Sequence, residues 1–396
     1  MSTTKVESQN IFGRVKNAIV GVFFGLALLV AMLVLLFWNE GRAVKTARAL
    51  DQGAGSVLSV GTGAVDPAGE GRLVHISGQV QAAAPVVDPQ TGVSAPALRL
   101  QRKVEMYQWK EERDSQKEVK LGGTETTTTT YRYATDWSTT AIDSSGFAEA
   151  ASHANPAMQL EAGSHSVQGA QLGAWNLDAP VLDQLPASQV LPVGTYDLAA
   201  LQRVFGSNAS VSLHDGAIYI GANPQQPAVG DYRISYTVAP VGAVSLVGRQ
   251  TGHGLRGWQS GNGRELLMVR EGVVPPETMF EDARSSNSLM TWVLRAVGTV
   301  IAVVAVSMVL APLSVAASVI PPLGRLLAMG SGLVATAVGV LLSVLTMALA
   351  WFVYRPLLSL AILAVGGAVV AGIVVLLRRR RGAAQLPPVA AASGHG

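Results

Sequence analysis

The sequence predicts a membrane protein with four transmembrane α-helices, one N-terminal and three C-terminal, plus a large β-rich α+β extramembrane domain between spans one and two. Hydrophobic residues make up 49% of the 396 residues and charged residues only 14%, whereas a soluble domain carries about a quarter charged residues. Four long stretches carry no charged side chain. Between the first and the second, apolar residues alternate with polar ones, as they do in half-buried strands.

Each uncharged stretch is long enough to cross a bilayer. About 20 apolar residues, rising 1.5 Å each, span the hydrocarbon core as a helix. The predicted organisation is a cytoplasmic tail (1–17), span one (18–38), an extracytoplasmic or lumenal β-rich domain (39–290), span two (291–316), span three (326–353), span four (357–377) and a basic, then disordered cytoplasmic tail (378–396).

A cleaved signal peptide is the alternative for the first stretch. Arg14 and Lys16 precede it, and 47–49 (ARA) resembles a cleavage site with small residues. The apolar run is longer than a signal core of about 7–15 residues. Charged residues, including Glu40, also separate the run from the cleavage pattern. We therefore interpret the stretch as a retained anchor.

Basic residues predict the orientation. Positive charge concentrates on cytoplasmic flanks, and the four arginines at 378–381 are the strongest such marker. Four spans put both termini on that side, in agreement with Arg14 and Lys16. Arg42 and Arg355 fall on the opposite side as exceptions. Residues 1–10 and 382–396 are expected to be disordered.

Aromatic and charged residues cluster where the spans end. Trp351 closes span three, and such rings favour the headgroup boundary. Basic residues at 42, 45 and 48 could meet lipid phosphates, although ordinary flanking of a span is the simpler interpretation. The candidate membrane-interface or partner contacts are Trp38, Asn39, Glu40, Arg42, Lys45, Arg48, Trp292, Arg295, Tyr354 and Arg355. Small residues such as Gly339 predict close packing of the last three spans.

The domain between the spans is predicted to be mixed α and β with strands dominant. A long hairpin with a charged tip is expected from residue 98 to about 133. Asp215-Gly216 is a short hairpin signal. Further strands are predicted at 72–80, 217–220, 231–239, 243–249 and 264–270, and helices at 195–205 and 275–290.

No pattern in the chain indicates a catalytic, cofactor or metal site. The absence of cysteine excludes disulfides and thiolate ligands. The six histidines do not form metal-ligand spacings with each other or with acidic residues. A net charge of +3 gives no reason to expect nucleic-acid binding. We therefore predict that the protein is not an enzyme.

Seven ordered motifs resemble the transmembrane protein 43 family, also called LUMA. They are 38–47 (WNEGRAVKTA), 70–75 (EGRLVH), 104–109 (VEMYQW), 223–233 (NPQQPAVGDYR), 284–288 (RSSNS), 292–296 (WVLRA) and 354–357 (YRPL). The resemblance covers about nine tenths of the chain and is weakest at about 143–215. The Ala- and Gly-rich tails are typical of a bacterial member.

The resemblance implies the same four-span layout and a scaffold that organises membrane protein complexes. Animal members are placed in the endoplasmic reticulum and inner nuclear membrane, with lamins and emerin among their partners. For this chain we expect the lipid bilayer and other membrane proteins as partners, with a homo-oligomer as a further option. A bacterial member would reside in the inner membrane, where lamin partners do not apply.

Two alternatives to a non-enzymatic scaffold stay open. A transporter or channel would need polar, usually ionisable, residues inside its spans. The spans of this chain offer only small hydroxyls, such as Ser343 and Thr346. An enzyme would need an unrecognised site in the exposed domain, visible as a deep pocket that joins titratable side chains.

Overall fold

The computed structural model describes residues 2–120, 124–317, 321–357, 359–361 and 364. The described chain forms two compact units. The β-rich unit contains residues 2–17, 45–288, 313–317 and 321–327, and the helical unit contains 18–44, 289–312 and the described residues from 328 onward. Three long helices pass from one unit into the other, so each contributes a segment to both.

The long helices are the apolar elements of the chain. The helices are α1 (Ile11–Ser56), α2 (Ala179–Leu182), α3 (Leu198–Phe205), α4 (Pro276–Ala317) and α5 (Pro321–Tyr354). Three of them, α1, α4 and α5, are long and apolar enough to cross a membrane. In lipid a helix pairs its backbone groups within one segment, which favours this structure there. The predicted fourth span at 357–377 and the arginines at 378–381 lie largely or wholly outside the described residues.

The strands come from the β-rich unit. In chain order they are β1 (Ser2–Gln9), β2 (Leu58–Ser59), β3 (Leu73–Gln79), β4 (Val86–Val87), β5 (Ser94–Ala95), β6 (Ala97–Val119), β7 (Glu125–Ser138), β8 (Gly163–Ser166), β9 (Ala170–Leu172), β10 (Trp175–Leu177), β11 (Gln189–Leu191), β12 (Val211–His214), β13 (Ala217–Ile220), β14 (Tyr232–Pro240), β15 (Ala243–Thr251), β16 (Gly254–Arg256), β17 (Trp258–Gln259), β18 (Glu265–Leu266) and β19 (Met268–Glu271).

Two sheets dominate this unit. The larger has the order β1-β7-β6-β14-β13-β12, with β8 on β6 and β11 on β14. The smaller has the order β16-β15-β3-β2, with β19 on β15. Their apolar faces share one core, in which Ile76 and Leu246 of the smaller sheet join Leu100 and Ile234 of the larger. The two sheets therefore pack face to face, as in a sandwich.

The second face of the smaller sheet packs on helix ends. Successive residues of a strand point to opposite faces, so Leu73 and Val247 turn away from the shared core. They form a separate cluster with Leu50 of α1 and Phe280 of α4. The C-terminal end of α1 and the N-terminal end of α4 are thus held by the sheet itself.

The structure confirms the strands predicted at 72–80, 217–220, 231–239 and 243–249 and both predicted hairpins, whereas the strand predicted at 264–270 is divided into β18 and β19. The long hairpin is β6 and β7, joined over fourteen register pairs. The Asp-Gly signal is also correct, because Asp215 and Gly216 join β12 to β13 with φ values of 49° and 73°. Positive φ at both positions is the geometry of a type I′ turn.

The prediction that residues 1–10 are disordered is wrong for residues 2–9. These residues form β1, which pairs antiparallel with residues 125–132 of β7. Arg14 also contacts Glu125 of β7, at 3.1 Å between nitrogen and oxygen. The hydrophobic pattern gave no sign of this strand, because β1 adds to a sheet edge through backbone bonds and is mostly exposed.

This pairing bears on the orientation of the chain. A helix that crosses a bilayer once has its ends in different compartments. The basic residues predict that segments 1–17 and 39–290 lie on opposite sides. Pairing of β1 with β7 instead requires residues 2–9 and the hairpin to share one side.

The absence of native cysteine allows a direct test of that pairing. Lys5 and Thr129 are register partners, so we expect Lys5→Cys with Thr129→Cys to form a disulfide in native membranes under mild oxidation. A matched pair, Lys5→Cys with Lys110→Cys, should stay reduced, because Lys110 pairs with Ala134 farther along the hairpin. Gel mobility without reductant measures the bond. A reduced first pair would contradict the pairing and support opposite sides.

Glycines set the helix spacing in the helical unit. A Cβ on Gly298 would lie 2.4 Å from a Leu36 methyl carbon, and one on Gly339 would lie 2.8 Å from the Val303 Cα. The predicted close packing of span three thus holds at Gly339. Gly330 and Gly332 have open space at the same position.

Candidate functional site

A charged and aromatic cluster lies at one end of the helical unit. It joins Glu40 of α1, Arg295 of α4 and Trp351 of α5. Each residue sits at the border of an apolar run on its own helix. Because all three residues lie within their helices, regular helical backbone rather than a loop positions their side chains.

Glu40 is the centre of this cluster. Its carboxylate accepts two hydrogen bonds from Arg295, from Nε at 2.6 Å and from Nη2 at 2.9 Å. The indole Nε1 of Trp351 donates a third at 2.7 Å. Only 1% of the Glu40 surface is exposed. A buried carboxylate is costly unless it is paired and hydrogen-bonded, and Glu40 meets both conditions.

Arg295 is also held by aromatic faces. Its guanidinium carbon lies 4.7 Å from the ring centre of Trp292 and 5.6 Å from that of Trp351. Such cation–π contacts stabilise by about 0.5–2 kcal/mol, more when they are desolvated. The planar guanidinium can bind a carboxylate with its edge while it stacks on rings with its faces. A lysine could not make both sets of contacts.

A second polar layer lies beside this cluster on α1 and α4. Asn39 is fully buried, and its Nδ2 donates to the Thr291 carbonyl at 3.1 Å. The Nη2 of Arg42 donates to the Asn39 Oδ1 at 3.2 Å and to the Thr291 hydroxyl at 3.0 Å. The layer satisfies a backbone carbonyl and fixes the contact between the two helices.

Gly41 completes the contact with α5. A Cβ at this position would lie 2.6 Å from the ring of Tyr354. The Tyr354 ring also packs on Phe37, with ring centres 5.3 Å apart. The glycine in the 38–47 motif is therefore required by the close approach of an aromatic ring.

The structure brings together six of the ten predicted contact residues: Asn39, Glu40, Arg42, Trp292, Arg295 and Tyr354. The other four lie outside these contacts. Trp38 is 55% exposed on the helical unit, and Lys45 and Arg48 are exposed on the β-rich unit. Arg355 follows the end of α5, where its N–H donates to the Trp351 carbonyl.

Sequence reasoning missed two members of the cluster, Trp351 and Thr291. Trp351 was assigned only to the interface with lipid, yet its indole binds Glu40. The available signal was its spacing of three from Tyr354, which places both on one helix face. Thr291 gave no signal, since a lone threonine beside a span is common.

A double-mutant cycle tests the central pair. Removing one partner of a buried pair typically costs about 3–5 kcal/mol, so we expect Glu40→Gln and Arg295→Gln each to lower the thermal unfolding midpoint of the full chain in detergent. The double variant should recover part of the loss, because no charge is then left unpaired.

The matched control is the exposed Lys110–Asp136 pair, where Asp136→Asn should change the midpoint much less, because an exposed ion pair adds little stability. Equal midpoints for Glu40→Gln and Asp136→Asn would show that the buried pair does not hold the bundle.

A second buried polar network lies in the core of the β-rich unit. Asp88 and Arg102 are 2.5 Å apart, and both are almost fully buried. The Tyr236 hydroxyl donates to the same carboxylate at 2.7 Å and lies 2.6 Å from the Thr91 hydroxyl. The network ties the loop after β4 to the centre of the larger sheet.

The surroundings of Asp88 favour its ionised form. Burial by itself would raise the pKa of the Asp88 carboxyl. Hydrogen bonds from Tyr236 and from the Gln90 N–H, together with the Arg102 charge, outweigh burial and hold that pKa below its usual value. Burial and the neighbouring Asp88 raise the pKa of Tyr236, so the phenol stays protonated and donates.

Acid should therefore weaken the β-rich unit through Asp88. A carboxyl whose pKa is lower in the folded state stabilises fully above its unfolded pKa, near 4, and loses that contribution as pH falls through the folded value. We expect the thermal unfolding midpoint of the full chain, followed by tryptophan fluorescence, to decrease as the pH is lowered below about 4. Asp88→Asn should be less stable at pH 7 and lose less on acidification. An unchanged acid dependence in Asp88→Asn would contradict this role.

The described residues hold no group of three or more His, Asp or Glu side chains that could bind a metal ion. His75 is buried, with its Nε2 3.0 Å from the Val274 carbonyl. Burial lowers the pKa of His75, while the Val274 carbonyl and Glu277 act in the opposite direction. His75 thus joins β3 to the segment that precedes α4.

Comparison with known proteins agrees with this layout. The family model described as Transmembrane protein 43 matches residues 106–356. Mouse Transmembrane protein 43 is 32% identical over 349 residues, which is 85% of each chain. The human protein is 32% identical over 354 residues, 86% of each chain. A Drosophila melanogaster homolog is 29% identical over 87% of this chain and 92% of its own. No solved structure matches the chain.

The fold and the cluster define a class of protein: a membrane protein with several apolar helices and a sheet-rich domain between the first and the next. The matches then narrow the class to a family. The chain belongs to the transmembrane protein 43 family. Five of its seven motifs lie in the matched segment 106–356 or overlap it, and the 38–47 motif supplies Asn39, Glu40, Gly41 and Arg42 to the cluster.

Proposed function

We propose that the protein is a non-enzymatic, multi-pass membrane scaffold that organises protein complexes at its surface. The observation that carries this proposal is the Glu40–Arg295–Trp351 cluster. It uses the ionisable groups beside the spans to hold three helices together. A bundle fixed in this way suits a rigid platform for partners better than a moving pathway for solutes.

The polar groups inside the spans support the same conclusion. Ser343 and Thr346 are buried, and each donates its hydroxyl to a carbonyl of its own helix, at 2.9 Å and 2.7 Å. A hydroxyl used in this way has no proton left to donate to a solute, although its oxygen can still accept. Transporters place ionisable or unpaired polar groups along their pathway, which disfavours the transporter or channel alternative.

The partners we propose are the lipid bilayer and other membrane proteins, with a second copy of the chain as a further option. Trp38 and Trp292 are 55% and 64% exposed. Such rings suit the boundary between lipid and water. The compartment follows the source of the chain: the inner membrane of a bacterium, or the endoplasmic reticulum and inner nuclear membrane of a eukaryote.

Photocrosslinking in native membranes tests the scaffold. We expect a photoreactive amino acid at Trp38, which is exposed and lies outside the cluster contacts, to give a reproducible set of protein adducts, identified by mass spectrometry. Glu40→Gln should diminish that set at equal expression, because the bundle end loosens. The matched control is Asp136→Asn, which should leave the adducts unchanged.

Lipid adducts alone, with the chain running as a lone monomer, would overturn the scaffold. Ion flux through liposomes that contain the purified chain, above that of empty liposomes, would favour the channel instead.

A further inference from the structure

β8 is an edge strand of the larger sheet. One of its sides pairs with β6 over four register pairs. The first pair is Arg99 with Ser166, and the last is Arg102 with Gly163. No strand among the described residues pairs with its other side. An open strand edge presents unpaired N–H and C=O groups, which can accept a further strand.

The ladder shows which backbone groups face outward. The Val167 N–H donates to the Leu98 carbonyl at 2.9 Å, so residues 98 and 167 form a hydrogen-bonded pair. Such pairs alternate along an antiparallel ladder. The N–H and C=O groups of Ser164 and Ser166 therefore point away from β6, and no backbone group in the described part of the chain bonds to them.

A groove runs along this open edge. Its cavity has a volume of about 580 Å³, within the range of sites that bind ligands. Apolar side chains, Val87, Pro89 and Leu177, line it together with Ser166, Gln168 and Asp183. A row of backbone groups beside apolar walls is the arrangement that binds an extended peptide, with alternate side chains entering the walls.

The charge of the groove indicates the chemistry of the peptide. Asp178 and Asp183 line it together with one histidine, His165, and no lysine or arginine is among the described residues that do. Asp178 already pairs with Arg256 at 2.6 Å. Asp183 accepts from the Ser166 hydroxyl at 2.6 Å and is exposed. Its carboxylate can accept further bonds, which favours a cationic side chain.

We propose that this groove binds an extended, basic peptide segment of a partner protein, which adds to β8 as one more strand. The inference rests on the proposed scaffold function and names the kind of partner segment that the scaffold holds. Specificity comes from the Asp183 charge and affinity from the backbone bonds to Ser164 and Ser166.

The probe is a fluorescein-labelled seven-residue peptide of alternating lysine and valine, titrated into the full chain in detergent and followed by anisotropy. A second peptide carries glutamate in place of lysine. A third is N-methylated at every residue, which removes all of its backbone donors. We expect saturable binding of the lysine peptide only.

Ser166→Pro tests the outward N–H. Proline is tolerated on an edge where the N–H faces solvent, so β8 should keep its pairing with β6. Loss of one hydrogen bond and the added ring should weaken binding at least about fivefold. Ser166→Ala removes only the hydroxyl and should change affinity less than about twofold. The matched control is Leu213→Pro on β12, whose N–H faces outward by the same alternation.

Equal affinity in Ser166→Pro and Leu213→Pro would overturn the strand addition, as would full binding of the N-methylated peptide to the unaltered chain. Equal binding of the glutamate peptide would overturn the preference for basic segments. Any of these results with the Trp38 protein adducts intact would reject this groove alone and leave the scaffold standing. Absence of protein adducts from the photocrosslinking experiment on the otherwise unaltered chain would reject the scaffold itself.

Discussion

The structure depends on one constraint: an ionisable group buried at the border of the membrane must find a complete set of partners. Glu40 is almost fully buried, and its two oxygens accept three hydrogen bonds from Arg295 and Trp351. Each donor comes from a different helix than the acceptor. The requirement therefore fixes α1, α4 and α5 together at that end, where Gly41 admits the Tyr354 ring. Gly298 and Gly339 allow close helix contacts farther along the bundle.

The same principle acts in the β-rich unit with different elements. Asp88 and Arg102 are buried within an apolar core, and a tyrosine and a threonine complete the network. Most of the core is aliphatic and comes from the facing sides of two sheets. Apolar burial drives the packing of these sheets, while the buried ions specify how the loop after β4 is seated. A chain without disulfides has only such contacts to order its loops.

Much of this layout was readable from the sequence, because the signals are local. Uncharged runs gave the long helices, alternation gave β3, β6, β14 and β15, and Asp215-Gly216 gave a tight turn. The short strands β8 to β11 gave no signal, since three or four residues are too few for a period to appear. β1 was missed because a polar edge strand buries no apolar face. The family motifs pointed to residues 38–47, but they did not indicate which side chains these residues contact.

The pairings within the cluster could not have been derived from local patterns. Glu40 and Arg295 are separated by 255 positions, and Glu40 and Trp351 by 311. Each residue alone has an ordinary explanation: a flanking charge or an interfacial ring. The contacts follow only when three helices are set side by side. A buried ion pair often adds little net stability over an apolar pair of equal size. Its geometry, however, is demanding. A bidentate guanidinium–carboxylate pair forms only when each helix has one rotation about its axis and one position along it. We therefore assign the cluster to fixing the register of the bundle rather than to its strength. A bundle with one register presents the same surface in every copy, and that property is the one a scaffold requires.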